Sequence, residues 1–337
     1  MNANSLYRVL FLKRHAFLCC VVLMTLYGCA STRPSHDRLD EVELHDYAPG
    51  PPEMREANLG AQIEYVEVKH KNSIPVRYFE GEEGHCPVII LHGLQSHSLW
   101  FVQSSRFIAD LGIPVYAMDR RGSGLSRSKR GDAKNYQEMV DDVDAVVEHA
   151  IGRHNAKQVH VLGHCFGAIP ATLYASIHPE KVKSVILPTP GIHTHSDLSF
   201  GQKLEVFLSK LTFQNTHIPV PLRTDSFTDL EAYRDFIEQD KLSLRYATAS
   251  MYYAIHKARI YLRRNASSIT APVFMGFAGA DQISDNNDNK EFFDHLSNPK
   301  KSLKTYNQAR HILEYSTDRD LFFADVQDWF RKMGELK

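Results

Sequence analysis

From about residue 61 onward, apolar positions recur with two alternating periods, two and three-to-four. Ile63–Val68 and Val76–Phe79 read as strands. Val88-Ile89-Ile90-Leu91 is a continuous apolar run, as expected for a strand buried on both faces. A helical pattern over Leu99–Leu111 leads to a strand at Val115–Met118. Tyr136–Ala150 predicts a helix with Val140, Val143, Val147 and the following Ile151 along one face. Strand Val159–Leu162, a helix through Tyr174 and strand Val182–Leu187 follow. The chain closes with strand Val273–Phe277, helix Glu291–Leu296, strand Ser302–Tyr306 and helix Asp320–Phe330. Such alternation predicts an α/β fold with a mostly parallel central sheet flanked by helices.

Residues 191–270 break the rhythm, with helical patterns but no strand alternation. They predict a helical cap over the carboxyl edge of the sheet, where α/β folds bind ligands. The core is then 61–190 and 271–337. Phe200, Leu204, Phe207, Leu208 and Leu211 form a stripe, expected to dock the cap on the core; lining an acyl pocket is the alternative.

The amino terminus reads differently. Arg8, Lys13 and Arg14 precede an apolar run from Ala16 to Leu26, too short to span a bilayer comfortably. It ends in Leu26-Tyr27-Gly28-Cys29, which resembles the lipobox of bacterial lipoproteins. That resemblance implies a signal peptide over 1–28 and a lipidated Cys29. Ala30 after the cysteine implies sorting to the outer membrane, facing the periplasm. Each buried acyl methylene contributes roughly 0.8 kcal/mol to anchoring. Residues 29–60, with Pro34, Pro49, Pro51 and Pro52 among polar residues, are expected to form a tether. The whole chain carries a net charge of -1, and the first 28 residues hold three cations and no acid. The remainder is therefore acidic, which gives it no electrostatic reason to bind nucleic acid.

Gly163-His164-Cys165-Phe166-Gly167 follows a strand and opens a helix, the setting of a nucleophile elbow, with cysteine where serine usually stands. The helix amino terminus favours thiolate over thiol. An acid and then a histidine should follow in chain order. Asp281 lies in the loop after the Val273 strand and His311 in the loop after the Ser302 strand, both leaving the elbow's edge. Asp285, four residues on, is the competing acid. The backbone amides of Phe166 and of Leu94, in His92-Gly93-Leu94, are the expected oxyanion donors. Asp119-Arg120-Arg121-Gly122-Ser123-Gly124 reads as a tight structural turn. A buried cysteine acting as a small hydrophobe is the plain alternative for Cys165.

With these motifs in order, the chain from about Ala61 resembles α/β-hydrolases of the monoacylglycerol lipase and lysophospholipase type. Cysteine nucleophiles also occur on this fold, in dienelactone hydrolases among others. The expected function is a membrane-tethered acyl hydrolase using Cys165, His311 and Asp281 through an acyl-thioester, on a hydrophobic ester or thioester. The alternatives are an acyltransferase with the same triad, or a silent binding lipoprotein. With no HExxH and no CxxC pair, no metal or cofactor is expected. Six extended residues from Cys86 to His92 span roughly 20 Å, so no disulfide to Cys165 is expected.

Overall fold

Runs of branched and aromatic residues, apolar on both faces, can be satisfied only inside a sheet covered on both sides. The computed structural model describes residues 50–68, 72–212 and 215–337. The signal segment, Cys29 and the tether up to residue 49 lie outside the described residues. In chain order the strands are β1 (Gln62–Val68), β2 (Asn72–Phe79), β3 (Val88–Leu91), β4 (Val115–Met118), β5 (Val159–Gly163), β6 (Val182–Pro188), β7 (His217–Pro219), β8 (Tyr246–Thr248), β9 (Val273–Ala278) and β10 (Lys301–Tyr306). Eight of them form one sheet in the order β1-β2-β4-β3-β5-β6-β9-β10. β1 and β2 run antiparallel at one edge, and every later pairing in this sheet beyond β2–β4 is parallel. All residues of β3, β4, β5 and β9 are buried, as their unbroken apolar runs demand.

The helices are α1 (Pro52–Ala57), α2 (Val102–Asp110), α3 (Tyr136–His154), α4 (Ala168–Ile177), α5 (Phe200–Thr212), α6 (Glu231–Gln239), α7 (Ala249–Asn265), α8 (Asn286–Asp294) and α9 (Arg319–Lys332). Asn135 caps α3 by accepting from the Glu138 amide at 2.9 Å, and Asn155 ends it in the left-handed region at φ 47°. None of the helices among the described residues is long and apolar enough to cross a membrane.

Three expectations need correcting. The tether does not reach residue 60: Pro51 and Pro52 start α1 instead of extending the chain, and Met54 is buried in the core. Arg106 of α2 holds this segment through the carbonyls of Ala57 and Leu59. The cap is not wholly helical, because β7 and β8 pair antiparallel within it. And the α5 stripe faces outward: Phe200 is 84% exposed, with Phe207 and Leu211 near 60%. The inward face centres on Ser209, whose hydroxyl meets that of Thr216 at 2.7 Å. A small residue lets α5 approach α7, and the large apolar side chains are left on the opposite side.

One buried acid gives a stability prediction. Glu314 lies in the core with the Ser104 amide 3.2 Å from Oε2 and the Ser104 hydroxyl donating to the same oxygen. Its Oε1 has no partner of full hydrogen-bond geometry among the described residues, and burial pushes its pKa up to about 8 despite these bonds and Arg319. Folded Glu314 therefore keeps a proton that the unfolded chain, with a pKa of 4.5, releases. Stability falls as pH rises from about 4.5 to about 8, by a few kcal/mol in all. Glu314→Gln should flatten this dependence. Thermal unfolding at pH 5 and pH 8.5 checks it, and wild-type and variant curves moving in parallel would refute it.

Candidate active site

β5 ends at Gly163, His164 remains extended, and Cys165 turns the chain at φ 52° before a short 3-10 turn opens α4. A left-handed conformation at a non-glycine residue costs of order 1–3 kcal/mol, so the surroundings must enforce it. They do so by crowding. A Cβ on Gly163 would lie 2.5 Å from the Gly167 carbonyl oxygen, and one on Gly167 only 2.0 Å from that of Leu91. Thr189, a β-branched residue at φ 42°, braces the turn from β6, with Oγ1 3.0 Å from His164 Nε2. His164 stays neutral, since burial and then neighbouring His311 hold its pKa far below the ordinary imidazole range.

His311 leaves the loop after β10 with its ring fully buried. Its Nδ1 lies 3.0 Å from each carboxylate oxygen of Asp281. Asp281 is itself fixed, its Oδ1 accepting from the amides of Ile283 at 2.8 Å and Ser284 at 3.0 Å. A carboxylate at Nδ1 requires the hydrogen there, which leaves Nε2 free to act as a base. Nε2 has no partner of full hydrogen-bond geometry among the described residues, and the Cys165 thiol is the group that acts on it. Burial alone would depress the His311 pKa; the Asp281 carboxylate and the Cys165 sulfur reverse this and raise it to about 10. Asp285 is engaged elsewhere, capping α8 through the Asn287 and Asp288 amides. Its helix begins earlier than the Glu291 expected from the apolar pattern, which an Asn-rich first turn conceals.

The two expected oxyanion residues flank Cys165. In a trans peptide the carbonyl and the following amide point in opposite directions, so anchoring one aims the other. The Gly93 carbonyl is held by His92 Nδ1 at 2.7 Å, which aims the Leu94 amide. His92 Nε2 accepts from the Arg120 amide at 3.1 Å, and burial, with Arg120 adding to it, keeps this ring neutral. The Cys165 carbonyl is held by the Gly191 amide at 2.7 Å, which aims the Phe166 amide. Neither the Leu94 nor the Phe166 amide is used in a backbone hydrogen bond among the described residues. Arg120 ties the pair together: its guanidinium donates to the Leu94 carbonyl and stacks 5.2 Å from the centre of the Phe166 ring.

A small cavity reaches these groups, lined by Leu94, Trp100, Cys165, Leu222, Phe227 and His311. Core and cap both contribute. A second, apolar cavity lies behind Phe166, beside Met118, Met139 and Met251. No cluster of three or more His, Cys, Asp or Glu side chains among the described residues is arranged to hold a metal. Cys86 and Cys165 are both free.

The structure brings together the residues that sequence reasoning named, Cys165, Asp281 and His311, with Leu94 and Phe166 beside them, but that reasoning read Arg120 only as part of a turn. That turn is indeed built around Asp119, which accepts from the Ser98 and Leu125 amides at 2.7 and 2.8 Å. Gly191, Thr189 and Arg259 carried no signal, because only folding brings them to the elbow.

A mostly parallel sheet with an elbow after β5, an acid after β9 and a histidine after β10 defines an α/β-hydrolase fold. The chain belongs to the family described as "Serine aminopeptidase, S33" (Hydrolase_4), which matches residues 84–318. It departs from that description at the elbow, where Cys165 stands in place of serine. It is 23% identical over 247 residues to a monoacylglycerol lipase of Mycolicibacterium smegmatis, covering 72% of this chain and 86% of that one. Human monoglyceride lipase is likewise 23% identical over 247 residues, covering 72% and 81%. In three dimensions it resembles the Saccharomyces cerevisiae monoglyceride lipase (a soluble variant) with a TM-score of 0.74 at 19% identity, covering 85% and 98%. The Paleococcus ferrophilus monoacylglycerol lipase gives 0.70 at 22%, covering 77% and 99%. These likenesses establish the fold.

Proposed function

We propose that the protein is an acyl hydrolase in which Cys165 attacks a hydrophobic ester or thioester, tethered to the bacterial envelope by a lipidated Cys29. The observation that carries this reading is the buried Asp281–His311 pair acting on a cysteine held at positive φ. His311 takes the thiol proton, and the thiolate adds to the acyl carbonyl. The Leu94 and Phe166 amides receive the developing oxyanion. Collapse breaks the bond to the leaving alcohol or thiol, which takes the proton from His311, and leaves an acyl-thioester on Cys165. Water, deprotonated by His311, then releases the acid and restores the thiol.

The names of the relatives favour a lipid ester. The outward stripe of α5 favours a hydrophobic environment, since Phe200, Leu204, Phe207 and Leu211 are exposed together, with Lys203 and Lys210 alongside. A membrane surface carrying the substrate would meet this face.

The test is to incubate the full chain in mild detergent with a fluorogenic medium-chain acyl ester, following product release and intact mass together. An acyl adduct on Cys165 with turnover in water supports the proposal. An adduct that persists until an alcohol or amine is added means acyl transfer instead. Neither adduct nor turnover, with reduced protein and several acyl lengths, means a binding protein.

A further inference from the structure

Helix α7 of the cap sends a half-buried arginine toward the elbow, far in sequence from any catalytic motif. We propose that Arg259 is a positioning residue that braces the Cys165 turn from the cap and supplies positive charge, so that Cys165 reacts as a thiolate. This deepens the reading of Cys165 as nucleophile and rests on it.

The connection is a chain of hydrogen bonds. Arg259 Nη2 donates to the Gly191 carbonyl and to Thr194 Oγ1, each at 3.1 Å. The Gly191 amide donates to the Cys165 carbonyl at 2.7 Å. Gly191 packs so closely that a Cβ there would lie 2.8 Å from the Cys165 carbonyl carbon and 2.9 Å from the Phe166 nitrogen. Through one glycine, then, Arg259 fixes the peptide whose amide is the proposed oxyanion donor. The cap thereby holds the elbow as well as covering it.

The charge matters separately from the bracing. Among the described residues, Arg259 Nε is buried without a partner, and no carboxylate forms an ion pair with the guanidinium. Asp197, the acid that acts on it, is paired with Lys203 at 2.7 Å. Burial lowers the Arg259 pKa, while Asp197 and then the Cys165 sulfur raise it. In a site of low effective dielectric such a cation acts on a nearby anion far more strongly than it would in water. The other groups around the sulfur and the arginine are Asp281 and His311 from the β9 and β10 loops, and His164 from the elbow. His193 lies on the β6 loop, with Asp285 and Asp288 behind it. A serine hydroxyl, which stays protonated near neutral pH, would gain little from such a cation. A thiol gains more, because the thiolate is the nucleophile and a nearby cation favours it.

The experiment compares Arg259→Gln, which can still donate to Gly191 but has no charge, with Arg259→Lys, which keeps the charge. Iodoacetamide alkylation of the full-length protein is measured from pH 4 to 9 and mapped to peptides, so that Cys86 is counted separately. In Arg259→Gln the Cys165 rate at pH 6 should fall about tenfold and its pH profile move upward, while Arg259→Lys stays near wild type. A Gln profile that overlays wild type would overturn the proposal, even with turnover reduced. So would a Lys profile displaced as far as Gln, since charge would then not be the cause. Thermal melts of both variants confirm the fold. Failure of the underlying reading has a different signature: wild-type protein would keep its turnover after Cys165 is fully alkylated.

Discussion

Cys165→Ala should abolish the acyl adduct and lower kcat/KM by about 10⁴-fold or more, with thermal stability little changed. Alanine has the same Cβ and meets the same φ penalty, so the turn at 52° persists. Cys165 is only 6% exposed, but the change removes a single atom, so it leaves only a small void. The oxyanion amides and the cavity remain, and residual binding of the ester should survive. Intact mass after incubation with the fluorogenic ester is the decisive measurement. An adduct of unchanged yield in the alanine variant would show that another residue carries the acyl group.

Asp281→Asn should cost about 10⁴-fold in kcat with KM within a few-fold. An amide at this place offers His311 Nδ1 either an N–H or an oxygen, so the tautomer is no longer fixed. The larger effect is electrostatic. Burial lowers the basicity of His311, and Asp281 is the strongest influence opposing it. Without that carboxylate the imidazole should be neutral at pH 7, and no imidazolium would remain to stabilise a thiolate. The variant should therefore lose alkylation of Cys165 near neutrality together with turnover. Retention of the wild-type alkylation profile would mean that His311 and Asp281 do not act on the sulfur. Asp285→Asn is the control: asparagine caps a helix about as well as aspartate, so both turnover and stability should stay near wild type.

The sheet was legible because burial on both faces leaves a direct mark, as in Val88–Leu91 and Val115–Met118. Amphipathic patterns were less informative. The α5 pattern named an apolar face correctly as a face, yet nothing local says whether protein, solvent or another surface meets it. Pro51 and Pro52 were equally ambiguous, since proline serves both extended chain and the first turn of a helix.

The sequence by itself determined the order of the elements, the elbow with its glycines, and the placement of Asp281 and His311 just past strand ends. Parallel strands carry such loops to one edge, so chain order already implied convergence. Only the tertiary structure set Asp281, and not Asp285, against His311, because a helix cap is defined by where the helix begins. Only it brought Arg120 across the Phe166 ring and Arg259 behind Gly191. Those contacts join segments far apart in the chain, and a guanidinium reaches its partner through space, with no periodicity to announce it.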